Sequence, residues 1–121
     1  MTEPTYTFDP TLADDVSRLR SELGDSLLGQ GRGVKPGGAN LSDEELESWL
    51  AQSQDSDAPV LRAAVRACEA LARAWASAHD ITSGPRSESF SQTAKAWGDR
   101  AAELQKRLDA VVVRSALAWP P

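Results

Sequence analysis

The sequence predicts an all-α domain: a small bundle of about four helices with a long antiparallel helix pair, a glycine-rich loop and an extended C-terminal tail. Three observations carry this. Apolar residues recur at steps of three and four along four segments of the chain, the period of helices laid on a core. Capping residues precede these segments, and clusters of glycine, proline and small polar residues separate them. The length, 121 residues, suits one domain of modest buried fraction, which a partner surface would help. We place that domain at residues 1–110, with 29–40 as a flexible loop and 111–121 as the extended tail.

The first helix is expected to be capped by Asp9, with Pro10 in its first turn and Leu12, Val16, Leu19 and Leu23 as its apolar stripe. Gly24 ends it, and Asp14, Asp15, Arg18, Arg20 and Glu22 fall mostly on its wet side. Residues 29–40, GQGRGVKPGGAN, lose too much backbone entropy on ordering for a helix or a central strand. They do not make a phosphate loop either, because Lys35 is followed by Pro36 instead of a hydroxyl residue.

The second helix has the clearest local signal. In LSDEELESWL, residues 41–50, Ser42 and Glu45 form a capping box, and Leu41 with Leu46 can form the hydrophobic staple. The helix therefore starts at Asp43, with Trp49 and Leu50 on its apolar side. Asp43, Glu44 and Glu45 complement the positive end of the helix dipole, which explains them without a metal or an acid–base role.

Asp57 and Pro59 open a longer third helix, whose Leu61, Val65, Cys68, Ala72, Trp75 and His79 step along one broad face. Cys68, in the middle of that face, is read as a packed thiol, and His79 as a packed ring or cation near the helix end. The fourth helix is expected from about Phe90 to about Ala110, with Ser89 and Gln92 as its capping box and Phe90, Ala94, Trp97, Ala101, Leu104, Leu108 and Val111 as its seam. The short connection, DITSGPRSESFSQ at 80–92, makes an antiparallel hairpin the economical packing. Capping and turn chemistry account for its serines and for Gly84 and Pro85, and leave Arg86 over. The three valines at 111–113 favour an extended strand, and Pro120 and Pro121 stop any helix. Such an apolar end either folds back on its own core or docks on a partner, for example by adding a strand to a sheet.

Composition narrows the function. A net charge of −5 and no basic stripe argue against a nucleic-acid reader, whose affinity comes largely from neutralised phosphates. A single cysteine and a single histidine exclude an internal disulfide and a Cys/His metal site. No catalytic, cofactor-binding or metal residues can be assigned, and the expectation is a protein that is not an enzyme and needs no cofactor. No run reaches the length of a membrane span, and the N-terminal residues lack the basic and apolar regions of a signal peptide, so a cytoplasm-like place of synthesis is expected.

Taken in order, VSRLRSELGD (16–25), a variable loop, LSDEELESWL (41–50), LRAAVRACEALARAWA, ITSGPRSESFSQ and AKAWGDRAAELQKRL resemble the head-tail connector, or adaptor, proteins of tailed bacteriophages, siphophage type. The likeness covers about residues 8–108, and the chain departs from the family pattern in its glycine-rich loop and its Val/Trp/Pro tail. The resemblance implies a helical subunit of the virion neck, made in the host bacterial cytoplasm. Such subunits assemble into a homo-oligomeric ring, commonly dodecameric, below the portal protein and above a tail-completion or tail-terminator protein. Genomic DNA would pass through the ring without specific binding, and the acidic balance of the chain predicts a neutral or negative channel lining. Candidate subunit or portal contacts are Arg86, Ser87, Val112, Val113 and Trp119. The alternative is a small helical DNA-binding regulator using the row Arg62, Arg66 and Arg73.

Overall fold

A computed structural model of the chain describes residues 6–25, 34–36, 39–80 and 85–117, and within these leaves out the side chains of 79–80, 85–88 and 114–117. Four helices follow one another: α1 (Asp15–Leu23), α2 (Asp43–Gln52), α3 (Pro59–Asp80) and α4 (Pro85–Leu117). The central element is α3. It pairs with α4 on one side and receives α1 and α2 on the other, so its alanine-rich sequence is buried over a wide arc. Ala63, Ala64, Ala67 and Cys68 are fully buried there, and these small side chains let neighbouring helices approach closely. Leu19, Leu46 and Leu104 bring the other three helices into the same core, each burial being worth about 1.5–3 kcal/mol.

The α3–α4 pair is antiparallel, as expected from the short connection. Arg62 Nη1 donates to Gln105 Oε1 at 3.2 Å near one end, and the Trp75 and Phe90 rings meet edge to face at 5.2 Å near the other. This register places the start of α3 opposite Leu108. Because α4 continues to Leu117, about nine of its residues, roughly 13 Å of helix, run past the start of α3 as an overhang, its first turn beside the α2–α3 connection.

Three boundaries differ from expectation. The first helix begins at Asp15 with Asp14 as its cap, the Asp14 side chain accepting from Ser17 N. Asp9 is occupied locally: its Oδ1 accepts from the Thr11 backbone and hydroxyl at 2.9 and 2.7 Å, and Leu12 stands at φ 56°, a left-handed conformation that interrupts a helix. The fourth helix starts at Pro85, not near Phe90, so Ser89 and Gln92 lie inside it and form no cap; Ser89 O instead accepts from Thr93 Oγ1 at 3.0 Å. Proline suits the first helical position because its fixed φ matches and its missing N–H would have been unpaired.

The extended conformation expected for the tail is not observed for 111–117, which belong to α4. Each β-branched valine costs a helix a few tenths of a kcal/mol. Extending an existing helix gains a hydrogen bond per residue without a new nucleus, and that gain prevails. Residues 118–121, including Trp119, lie outside those described.

Candidate functional site

Among the described residues the buried charges Arg20, Asp25 and Asp43 gather where α1 ends and α2 begins. Gly24, at φ 74°, terminates α1, and its N–H reaches back to Ser21 O while Asp25 N reaches Arg20 O at 2.9 Å. This paired termination is the one that left-handed glycine permits. It turns the Asp25 side chain back toward Arg20 on the last turn of the helix.

Arg20 is wholly buried. Its Nη1 donates to Asp25 Oδ2 and to Leu41 O, both at 2.7 Å, its Nη2 to Asp43 Oδ1 at 2.6 Å, and its Nε to Thr7 O at 2.8 Å. The acidic partners are saturated in turn. Asp25 accepts from Leu41 N at 3.0 Å and Asn40 Nδ2 at 2.7 Å, and Asp43 accepts from Thr7 N and Thr7 Oγ1, both at 2.9 Å. The Tyr6 ring covers the guanidinium at 3.9 Å, and its hydroxyl donates to Asp25 O at 3.0 Å. Burial pushes the Tyr6 hydroxyl above its ordinary value against the lowering pull of Arg20. Burial also pushes the Asp43 carboxyl up, but the bonds from Arg20 and Thr7 and the charge of Arg20 hold it below the ordinary carboxylate value.

A guanidinium shared by two carboxylates and two carbonyls, roofed by an aromatic ring, leaves no open position for a substrate. The cluster is a clasp. It joins the N-terminal segment at Tyr6 and Thr7, the end of α1, the approach to α2 and the first residue of α2. It thereby ties residues 16–25 to residues 41–50.

The capping box at α2 is present as predicted: Glu45 N donates to Ser42 Oγ at 3.1 Å and Ser42 N to Glu45 Oε1 at 3.1 Å. The three acidic residues of that turn diverge. Asp43 points inward to Arg20, Glu45 serves Ser42 and pairs with Lys35 at 3.2 Å, and Glu44 is exposed. Among the described residues no group of three His, Cys, Asp or Glu side chains is placed to hold a metal. Cys68 is free and fully buried, and burial pushes its thiol up to about 11. Part of the glycine-rich loop is tied down: Val34 packs against the core, its carbonyl accepts from Trp75 Nε1 at 2.9 Å, and Lys35 N donates to Ala39 O at 3.0 Å. Residues 29–33 and 37–38 lie outside those described.

Of the predicted contact residues, Val112 and Val113 stand on the overhang of α4, 45% and 55% exposed. Arg86 and Ser87 occupy the first turn of α4 at the opposite end, and their side chains lie outside those described. The arginine row does not form one exposed strip: Arg62 bonds Gln105, Arg66 is half-buried with its Nε unpartnered, and Arg73 is exposed.

The charge of Arg20 points to solvent, but its position does not. Arg20 is four residues after Val16 and three before Leu23, which puts it on the apolar arc of α1. That register was readable. Its pairing with Asp43 across the loop was not.

Two surface grooves accompany these elements. One, of about 360 Å³, lies between the end of α1 and α4 and is lined by Leu23, Gly24, Ala96, Trp97 and Arg100. The other, of about 420 Å³, lies at the root of the overhang, where Asp55, Asp57, Arg62 and Arg66 surround Leu108 and Val112. Among the described residues no helix is long and apolar enough to cross a membrane. Comparison with protein-family models, curated proteins and solved structures gives no match.

Proposed function

We propose that the chain is a structural subunit of a tailed-bacteriophage neck, forming a homo-oligomeric ring between the portal and the tail that continues the DNA channel. The observation that carries this reading is the overhang of α4. A helix end with Val111, Val112 and Val113 in succession is apolar on several sides, and such a helix is stable in water when something covers it. Val112 and Val113 are 45% and 55% exposed, and a contact with another subunit is a natural use for them.

Two further observations support the reading. Two of the segments that enter the resemblance, 16–25 and 41–50, meet in a buried clasp, which gives them a part in holding shape. The buried thiol of Cys68, pushed up to about 11, has little nucleophilic form at neutral pH. Partners on this reading are further copies of the chain, a portal protein and a tail-completion or tail-terminator protein.

The test is location. Subunits carrying an electron-dense label, built into virions, are expected to mark the neck between head and tail. Label confined to capsid or tail tip, or tight binding of duplex DNA by the isolated protein at physiological salt, would overturn the reading in favour of another virion position or a DNA-binding regulator.

A further inference from the structure

We infer that the N-terminal arm, residues 6–9, docks in the assembled protein into the Arg20–Asp43 clasp of a second copy, so that subunits are joined by exchanged arms. This rests on the reading of the chain as a self-assembling subunit and names the segment that passes between copies.

The clasp already holds a peptide. Thr7 is gripped at both of its backbone polar groups: its N–H donates to Asp43 Oδ1 at 2.9 Å, and its carbonyl accepts from Arg20 Nε at 2.8 Å. Its hydroxyl donates to Asp43 Oδ2 at 2.9 Å, the Tyr6 hydroxyl to Asp25 O at 3.0 Å, and Asp9 N to the buried Ser17 Oγ at 2.8 Å. The receiving groups all belong to α1, its terminating turn or α2. They form a binding site for an extended segment that carries an aromatic ring and a hydroxyl side by side. Every copy of the chain carries that segment, so the arm of a second copy remakes each bond that the chain's own arm makes.

The connection between arm and domain is what favours exchange. One turn folds the arm back onto its own clasp, with Leu12 N donating to Asp9 O at 2.9 Å. In that turn Leu12 stands at φ 56°, the one positive φ outside glycine among the described residues, and a side chain with a Cβ is strained there. Short hinges under strain invite identical chains to exchange an element, because opening the hinge releases the strain while the element keeps its contacts. The side-chain bonds that hold the turn, from Thr11 to Asp9 Oδ1 and from Arg18 Nε to Leu12 O, are exposed and pass to water when it opens. The opened hinge from Asp9 to Asp14 spans at most about 17 Å, so the arm reaches a copy packed directly alongside. Passed on in one direction, the arms yield a ring if the rotation closes; returned between two copies, they yield a two-fold dimer.

Photocross-linking from the arm tests this directly. The Tyr6 ring lies 3.9 Å from the Arg20 guanidinium, so p-azidophenylalanine in place of Tyr6 reacts with whichever chain supplies the clasp. Light is expected to give a ladder of covalent oligomers in the assembled protein, whereas an arm docked on its own chain leaves every product at monomer mass. Leu12→Gly and Leu12→Asn, which suit left-handed backbone, are expected to lower the cross-linked yield about 5- to 30-fold at a fixed, sub-saturating concentration. Thr7→Pro lacks the N–H that Asp43 holds and is expected to abolish it. Light scattering on the same samples separates the two levels of the proposal. Oligomers that give only monomeric photoproducts, or a yield unmoved by Leu12→Gly and Thr7→Pro, overturn arm exchange and leave the assembly reading standing. Covalent dimers with no higher step keep the exchange and overturn the ring. A monomeric mass at every concentration overturns both.

Discussion

The guanidinium of Arg20 meets the carboxylate of Asp43 at 2.6 Å inside the domain, and the arginine has no exposed surface. Removing one partner of a buried pair leaves the other charged and unpaired, at a cost of about 3–5 kcal/mol. Arg20→Met is therefore expected to destabilise the domain by about that amount in urea unfolding. Arg20→Lys is expected to recover only part, because an ammonium cannot reproduce the planar fork that reaches Asp25, Asp43, Leu41 and Thr7 together. A loss well under 1 kcal/mol for Arg20→Met would contradict the role given to the clasp.

The same cluster fixes a pH dependence. With its pKa held below the ordinary 3.8, Asp43 binds a proton less tightly in the folded than in the unfolded chain. Its contribution is fully present above the unfolded value and is lost as pH falls through the folded one. Asp43→Asn is expected to be less stable than the parent at neutral pH and to converge with it in strong acid. Asp9, lowered by its bonds from Thr11, acts in the same direction, so some acid sensitivity should survive in the variant. Parallel stability profiles for the two proteins would sink this assignment.

Two glycines should respond to alanine with opposite signs. Gly24 sits at φ 74° with open space around it, so the cost of Gly24→Ala is conformational, about 1–2 kcal/mol. Gly98 lies inside α4 with equally open space and ordinary helical backbone. Gly98→Ala is expected to stabilise by about 0.5–1 kcal/mol. Thermal unfolding of the two variants checks the pair, and a stabilised Gly24→Ala would mean that α1 ends differently.

Cys68 should be silent to thiol reagents in the folded state. It is buried, and burial pushes its thiol up to about 11, so labelling is expected to follow unfolding and to accelerate with urea. Rapid labelling of the native protein at neutral pH would place Cys68 at an accessible surface.

How far the sequence went depends on the range of the interaction. The α2 start was legible because Ser42 and Glu45 are three residues apart and satisfy each other, and Gly24 was legible because a left-handed terminus needs glycine. Asp9 and Ser89 misled because each has cap chemistry that the fold uses otherwise, in a local turn and inside a helix. The valines at 111–113 misled because strand preference is weaker than the propagation of a helix already formed. The clasp was illegible as a set, since Thr7, Arg20, Asp25 and Asp43 come together only once the loop has closed. For the site, the exposure of Val112 and Val113 was open to sequence reasoning, but their helical setting was not.

The most direct test of the proposed role is the mass and shape of the purified chain as concentration rises. Native mass spectrometry and electron microscopy up to about millimolar subunit, where even contacts of about 4 kcal/mol are populated, are expected to show closed rings of one diameter. A single monomeric mass across the whole range, with no ring in any field, would contradict it.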